Sequence, residues 1–166
     1  MKKSYQKHIH KHMSKKVNIV VVTLSSPILV GIYDNSTDKL ITSYESTQKS
    51  SEYIPTLFEK LLNEYNIETL VYAKGPGSFM AIKVTYVFLK TLSISLKIPL
   101  LAQDGFYFNN NTPIKAIGKL FFEKNKEQIV TKTFNQIPQS KFYLPKLFLK
   151  NEYLKDSEPL YILPAV

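Results

Sequence analysis

The segment from Ala73 to Phe79, AKGPGSF, carries the most specific chemical signal in this sequence. Two of the five glycines in the chain flank Pro76, where a predicted strand gives way to a predicted helix. Glycine permits a positive φ, and free backbone amides at the start of a helix bind phosphate. A candidate phosphate loop is therefore formed by Gly75, Pro76, Gly77 and Ser78. Its spacing matches neither the P-loop nor the dinucleotide-binding fingerprint, so the pattern alone favours a tight turn with nothing bound.

Nucleophiles and metal ligands are scarce outside the N-terminal segment. The chain has no cysteine, which excludes disulfides, thiolate zinc sites, iron–sulfur clusters and a cysteine nucleophile. The three histidines are His8, His10 and His12, and their alternation suits either weak metal capture or, more commonly, a solvated tail. A serine–histidine or histidine–metal site is thus not expected in the rest of the chain. A serine–lysine pair, or a carboxylate site from Asp34, Asp104 or Glu52, stays open. No resident metal is predicted.

The positive charge is concentrated at the N-terminus. The formal net charge is +9, but residues 1–16 hold six lysines and no acid, which leaves 16 lysines against 13 acids, or +3, for the remainder. We therefore expect a disordered basic tail over residues 1–16. All 22 basic residues are lysine. The absence of arginine weakens a base-reading role, because arginine is the usual bidentate reader of guanine.

Hydrophobic patterning predicts an α/β lobe over residues 17–102. Strands are expected at 17–23, 28–33, 39–45, 68–73 and 98–102. One helix is expected from Ser50 or Ser51, acting as its cap, to about Tyr65, with Asn66 as a left-handed stop, and a second from about Phe79 to Leu96. The order βββαβαβ predicts a mixed five-stranded sheet and is similar to the ribonuclease-H-like half of actin-like proteins.

The remaining residues, 103–166, predict a reduced C-terminal lobe. Strands are expected at 114–123 and 128–134, with a short edge strand at 159–163 among several prolines. No uninterrupted apolar run reaches the roughly 18 residues of a membrane span, and the N-terminus lacks the apolar segment of a secretory signal. The sequence therefore predicts a cytoplasmic protein with no membrane contact.

The second predicted helix has more apolar surface than one sheet requires. Its lysines, Lys83, Lys90 and Lys97, form one narrow stripe at intervals of seven, and its other faces are apolar or small. A helix lying on a sheet needs an apolar stripe of only about 100°. Either the helix is buried between the sheet and the first helix, or its spare face binds a partner. The residues predicted at such an interface are Tyr53, Phe58, Phe79, Ile82, Lys83, Tyr86 and Lys90.

The stretch from Lys74 to Ala102 resembles the signature of the TsaB family, also called YeaZ. That family has G-P-G-S-F-T-G-L-R, an apolar helix and then G-I-P-L. Here residues 75–79 match, Lys83 stands at the arginine, and 98–100 match the strand entry. Met80 and Ala81 replace a threonine and a glycine. No aspartate follows the first strand, at 22–24, where the family has D-T-S.

The resemblance implies a non-catalytic scaffold in tRNA modification. TsaB proteins pair through the helices of this lobe with the catalytic TsaD subunit, which works with the ATPase TsaE. The complex adds a threonylcarbamoyl group to adenosine beside the anticodon of tRNA. The resemblance implies contact with tRNA only through the partners, homodimers when the chain is alone, and no cofactor of its own, although ATP can bind in the complex.

Two other functions stay open from the sequence. One is an ATP-binding protein or ATPase of actin-like fold, which the missing aspartate argues against, because in that group the acid orients magnesium and nucleotide phosphate. The other is a basic RNA-binding module in which the lysine stripe and the tail contact phosphates.

Overall fold

A computed structural model describes residues 14–162 of the chain. The alternating histidines lie outside the described residues. Five strands form the main sheet, and they are β1 (Lys15–Val22), β2 (Ile28–Asp34), β3 (Leu40–Ser46), β4 (Tyr65–Ala73) and β5 (Leu100–Gln103). Their order is β3-β2-β1-β4-β5. The first three strands pair antiparallel, whereas β4 is parallel to both β1 and β5. The predicted mixed five-stranded α/β sheet is confirmed.

Two helices, α1 (Ser50–Glu64) and α2 (Phe79–Leu96), connect the parallel strands and lie on one face of the sheet. Inward-facing Val17, Ile19 and Val21 of β1 belong to the hydrophobic cluster beneath these helices. Val20 and Val22 point to the opposite face and join a second cluster. Because successive side chains of a strand alternate between faces, a central strand with both faces covered is almost continuously apolar.

Several predicted boundaries were wrong, and one pairing explains most of them. Strand β1 begins at Lys15, inside the predicted tail, and pairs there with the start of β4 at Tyr65. Helix α1 therefore runs directly into a strand, and Asn66 is a paired strand residue and not a left-handed stop. The N-cap of α1 is Lys49, without a side-chain capping bond, so neither predicted serine caps this helix.

The C-terminal part covers the second face of the main sheet. Its antiparallel sheet consists of β6 (Ile114–Lys115), β7 (Leu120–Asn125) and β8 (Gln128–Thr133). One long predicted strand, 114–123, is interrupted by a turn at Gly118, whose φ is +58°. The cluster on this face is completed by buried aromatic rings of the C-terminal part, among them Phe106, Phe108, Phe122, Phe142 and Phe148.

The last described residues form a strap and not the predicted edge strand. Residues 155–162 have no strand assignment. These residues are joined to the end of β4 by separate hydrogen bonds. The Leu160 amide donates to the carbonyl of Lys74, the residue after β4, at 2.7 Å. The Tyr72 hydroxyl donates to the Ser157 carbonyl at 2.6 Å. We call residues 155–162 the C-terminal strap.

Candidate docking surface on the two helices

The inner face of α2 packs on the sheet through only four buried residues. These are Ile82, Thr85, Leu89 and Ser93. Two of the four are small and polar, which lets the helix lie close to β4 and β5. The Thr85 hydroxyl is hydrogen bonded to the Thr23 hydroxyl at 2.9 Å in the buried interior. This bond satisfies both groups, which would otherwise lose their hydrogen bonds to water.

The outer face of α2 remains open and apolar. Met80 is 63% exposed, Val87 55% and Ile94 68%. With Val84 and Thr91 they recur at intervals of four and three residues, which places all five on one side of a helix. We call these five residues the outer stripe. Exposed apolar side chains arranged as one stripe are typical of a surface that binds another helix.

A groove between α1 and α2 is lined by four of the five residues of the outer stripe. Its volume is about 610 Å³. The lining residues are Pro55, Met80, Lys83, Val84, Val87, Phe88, Thr91, Leu92 and Ser95. Phe88, which lines the groove, packs edge to face on the buried ring of Phe58, with centroids 5.5 Å apart. The arrangement presents a preformed apolar channel with one lysine at its side.

Two of the predicted interface residues are wrong. Phe58 and Ile82 are fully buried, in the clusters on the two faces of the sheet, and neither can contact a partner. The apolar periodicity of each helix was recognised, but at these two positions a buried residue was taken for an exposed one. Tyr53 is half-buried against the core.

Phe79 and Tyr86 are partly covered by the C-terminal strap. The ring of Phe79 lies 4.6 Å from that of Tyr161. The Tyr86 ring stacks on Tyr72, and its hydroxyl donates to Glu158 Oε1 at 3.0 Å. Burial, followed by this bond to Glu158, raises the pKa of Tyr86. Both residues therefore border the outer surface at the strap without lying at its centre.

Three lysines, Lys83, Lys90 and Lys97, flank the outer stripe on one side, and we call them the lysine row. Lys83 is exposed and Lys90 half-buried. Lys97 ends the helix in the left-handed conformation, with φ 56°. None of the three forms an ion pair within residues 14–162. The edge of the apolar surface is therefore positively charged.

The candidate phosphate loop is packed against backbone on two sides. A Cβ on Gly75, whose φ is +120°, would lie 2.4 Å from the Leu160 carbonyl oxygen. The Gly75 carbonyl accepts from the Gly105 amide at 2.9 Å, and the Ser78 amide donates to the Leu24 carbonyl at 3.3 Å. Ser78 is the N-cap of α2 but makes no side-chain capping bond. These contacts explain the glycine at 75 and the tight turn without a ligand.

Two of the three carboxylates considered for catalysis, Asp34 and Asp104, have structural partners. Asp34 accepts from Lys15 and from the Ser36 amide and hydroxyl, and these bonds, with Lys15 first, hold the pKa of its carboxyl well below the usual range. Asp104 accepts from the Phe106 amide at 3.0 Å and from Lys124 at 2.5 Å. Within residues 14–162, no three histidine, cysteine or acidic side chains form a group suited to a metal ion.

Helix α2 also has the length and composition of a membrane span. It contains 18 residues and only two charged side chains, Lys83 and Lys90, which interrupt the apolar run. The expectation of no membrane contact stays a prediction. A single helix of this kind is weak support for membrane insertion, because helices that pack on a sheet have similar compositions. Here the inner face is anchored on the sheet by Leu89 and by the Thr85 bond.

The residues that the sequence interpretation missed are those of the outer stripe. Met80 was treated only as a departure from a motif, and Val87 and Ile94 only as members of an apolar helix. Met80, Val87 and Ile94 are spaced seven residues apart, as the lysines of the row are, but lie on a different side of the helix. This spacing could have identified the outer stripe from the sequence.

Comparisons with known proteins agree with the resemblance seen in the sequence. The family described as TsaD, tRNA N6-adenosine threonylcarbamoyltransferase, matches residues 39–103, which include α1, β4, α2 and β5. A protein of that description from Pyrobaculum calidifontis is 36% identical over 62 residues, which are 34% of this chain and 18% of that protein. The chain thus spans about a fifth of the length of this curated relative.

Solved structures extend the likeness to most of the chain. YeaZ from Pseudomonas aeruginosa superposes with a TM-score of 0.56 at 12% identity, covering 79% of this chain and 68% of that one. A second structure from the same organism, described as an uncharacterized protein with similarity to peptidase YEAZ, gives 0.50 at 12% identity over 74% and 65% of the two chains. The chain therefore has the predicted actin-like fold of YeaZ, and its central segment is similar in sequence to the TsaD family.

Proposed function

We propose that the chain is a non-catalytic subunit in the threonylcarbamoyl modification of tRNA, and that it pairs with a TsaD-like catalytic subunit. The observation that carries the proposal is the outer stripe, which remains open beside a preformed apolar groove. The TsaD-like and YeaZ-like similarities support the reaction to which we assign it.

The similarity itself favours a TsaD-like partner. The match to the TsaD family covers both helices that frame the groove. A TsaD-like partner would present two helices of similar arrangement, so the two pairs can pack as a four-helix layer with ridges in grooves. The lysine row at the border adds a preference for an acidic margin on the partner. Self-pairing of this chain through the same helices would form a two-fold dimer when the partner is absent.

A non-catalytic role agrees with the side chains of the described part. Asp34 and Asp104, two of the three carboxylates considered for catalysis, serve turns and ion pairs, as described above. In this proposal the TsaD-like subunit supplies the chemistry, a TsaE-like ATPase supplies the ATP-dependent step, and tRNA contacts the partners. We place the complex in the cytoplasm.

The test is a charge in the centre of the outer stripe. We expect Val87→Asp to abolish co-purification with the TsaD-like subunit of the same organism, because an unpaired carboxylate would be buried in an apolar interface. Pairing is measured by size-exclusion chromatography of the co-expressed subunits. The modified nucleoside in total tRNA is measured by mass spectrometry in cells that depend on this chain, and we expect it to fall with pairing.

The matched control is Ile137→Asp, which places the same charge at an apolar residue that is 69% exposed in the C-terminal part. We expect this variant to pair and to support modification like the unchanged chain. Retained pairing by Val87→Asp would contradict the proposed surface. ATP hydrolysis by the isolated chain would support the ATPase alternative, and tight tRNA binding that is lost with residues 1–16 would support the RNA-binding one.

A further inference from the structure

A mostly apolar pocket of about 510 Å³ lies at the N-terminal end of α2. It is enclosed by the turn after β1, the turn into α2, the hairpin of β6 and β7, and the C-terminal strap. The lining residues are Leu24, Ser25, Pro76, Gly77, Ser78, Phe79, Met80, Lys115, Ala116, Ile117, Phe122, Leu160, Tyr161 and Ile162. Three of these residues are aromatic, one is a lysine and none is acidic. The pairing proposed above, which uses the two helices, does not account for this pocket.

The walls of this pocket are held in place by packing. Leu24 and Phe122 contribute side chains that are buried in the core. On the strap side, the ring of Tyr161 lies 4.6 Å from that of Phe79, and the Leu160 amide is bonded to the residue after β4. A cavity whose walls are already ordered accepts a side chain at little further cost in conformational entropy.

Met80 joins this pocket to the candidate docking surface. Its side chain is 63% exposed, and it lines both the pocket and the groove between α1 and α2. Two other apolar residues of the pocket are also open, since Ile117 is 60% exposed and Tyr161 42%. The apolar surface of α2 therefore continues past the end of the helix onto the C-terminal part.

The size of the interface favours a partner that covers this pocket as well. A specific interface takes about 800 Å² and roughly 20–30 residues from each subunit. Nine residues line the groove, and Ile94 is the tenth residue of the surface that the groove and the outer stripe form together. The pocket adds thirteen residues besides Met80, which brings the surface into the range of a stable pair.

The charges along this surface indicate the chemistry of its occupant. Lys83 in the groove and Lys115 at the pocket are the charged residues among the linings, and both are exposed. Apolar walls beside a lysine favour an apolar group that has an acidic neighbour. The rings in the wall favour an aromatic group, because aromatic rings gain energy by packing on one another and the strongest contacts of an interface seat such residues in pockets.

We infer that this pocket receives an aromatic side chain of the partner subunit, beside an acidic residue that pairs with Lys115. The inference rests on the proposed function, because the partner is the TsaD-like subunit seated on the outer stripe. It adds a second anchoring point, on the C-terminal part of this chain. With one anchor on the outer stripe and another in the pocket, the position of the partner along α2 is fixed.

The experiment measures the affinity of the full chain for the TsaD-like subunit of the same organism by isothermal titration calorimetry. We expect Ile117→Asp to raise the dissociation constant roughly tenfold, because it places a carboxylate at the apolar rim of the pocket. Lys115→Glu should raise it about fivefold, and less at high salt, because it replaces an attraction by a repulsion. Both residues are exposed, so both variants keep the fold, which urea denaturation checks.

The matched control is Ile137→Asp, which makes the same change at a residue that is 69% exposed in the same part of the chain and does not line the pocket. We expect it to leave the dissociation constant within twofold. Direct contact is measured by NMR of the full chain with labelled isoleucine methyl groups. Added partner should shift the methyl signals of Ile94 and Ile117 but not that of Ile137.

The outcomes separate this inference from the proposed function. If Val87→Asp abolishes pairing while Ile117→Asp binds like the unchanged chain, the inference is overturned and the proposed function stands. If neither variant weakens pairing, both are contradicted. Loss of affinity in Ile117→Asp alone would support the pocket and contradict the outer stripe. An Ile117 methyl signal that the partner leaves unmoved, or a control that weakens pairing as much as Ile117→Asp, also overturns the inference.

Discussion

The two faces of α2 differ in a way that hydrophobicity alone does not reveal. The inner face, which contacts the sheet, includes the polar Thr85 and Ser93, whereas the outer face carries exposed Met80, Val87 and Ile94. Small side chains are favoured on the inner face because the helix lies close to β4 and β5. The Thr85 hydroxyl meets that of Thr23, the residue after β1, at 2.9 Å. The larger apolar side chains stand on the open face. A surplus of apolar residues in a helix thus indicates a second contact surface but not which surface it is.

The sharpest test of this difference compares two residues on the same helix. We expect Leu89→Ala to lower the free energy of unfolding by about 2–5 kcal/mol, because Leu89 is fully buried and its truncation leaves a cavity. Val87→Ala, on the outer stripe, should change it by less than about 0.5 kcal/mol. Urea denaturation followed by circular dichroism measures both. Equal losses would show that the outer stripe is also part of the core.

The buried hydroxyl pair gives an effect of intermediate size. We expect Thr85→Val to lower the free energy of unfolding by about 1–3 kcal/mol, because it leaves the Thr23 hydroxyl buried and unpaired. The double variant Thr23→Val with Thr85→Val should recover most of this loss, since two apolar groups of similar shape then meet. A double-mutant cycle from urea denaturation measures the coupling. Additive losses would show that the two hydroxyls do not depend on each other.

The smallest effect concerns the other face of the sheet. Burial, followed by a hydrogen bond to Glu152, raises the pKa of Tyr107 to about 12. A pKa raised in the folded state favours the neutral phenol, so this contribution is complete below about pH 10 and is lost as the pH rises from 10 to 12. We expect the urea midpoint to fall across this window, and Tyr107→Phe to reduce the fall.

The alkaline titration also distinguishes the environment of Tyr107 from the outer stripe. Absorbance at 295 nm follows ionisation of tyrosine, and Val87→Asp should leave the profile unchanged, because the outer stripe lies on the far side of the sheet from Tyr107. Tyr33, Tyr72 and Tyr153 have pKa values raised by burial as well, so the Phe variant reduces the fall without removing it. If the urea midpoint of Tyr107→Phe fell between pH 10 and 12 as much as that of the unchanged chain, the contribution assigned to Tyr107 would be contradicted.

Local signals accounted for most of the secondary structure. The β-branched run in β1, the turn residues after β2 and the apolar periodicity of α2 each depend on neighbours a few residues away, and their elements formed as predicted. The errors came from long-range pairing. Strand β4 begins at Tyr65 because β1 extends to Lys15, and no local feature of Asn66 indicates that partner.

The candidate surface shows the same division. Phe58 and Leu62 are both apolar, lie one turn apart on α1 and have the same local signal, yet Phe58 is fully buried and Leu62 is 39% exposed. The covering of Tyr86 and Phe79 by the C-terminal strap joins residues more than seventy positions apart. Such contacts leave no pattern within a window of helix length.

The amino-acid sequence by itself determined the order of strands and helices, the tight turn at Gly75 and the excess of apolar residues in α2. Only the tertiary structure decided which side of α2 faces the sheet and that the strap covers one flank of the helices. The reason is physical: backbone preference and side-chain periodicity are local, whereas burial and convergence depend on contacts between segments that are distant along the chain.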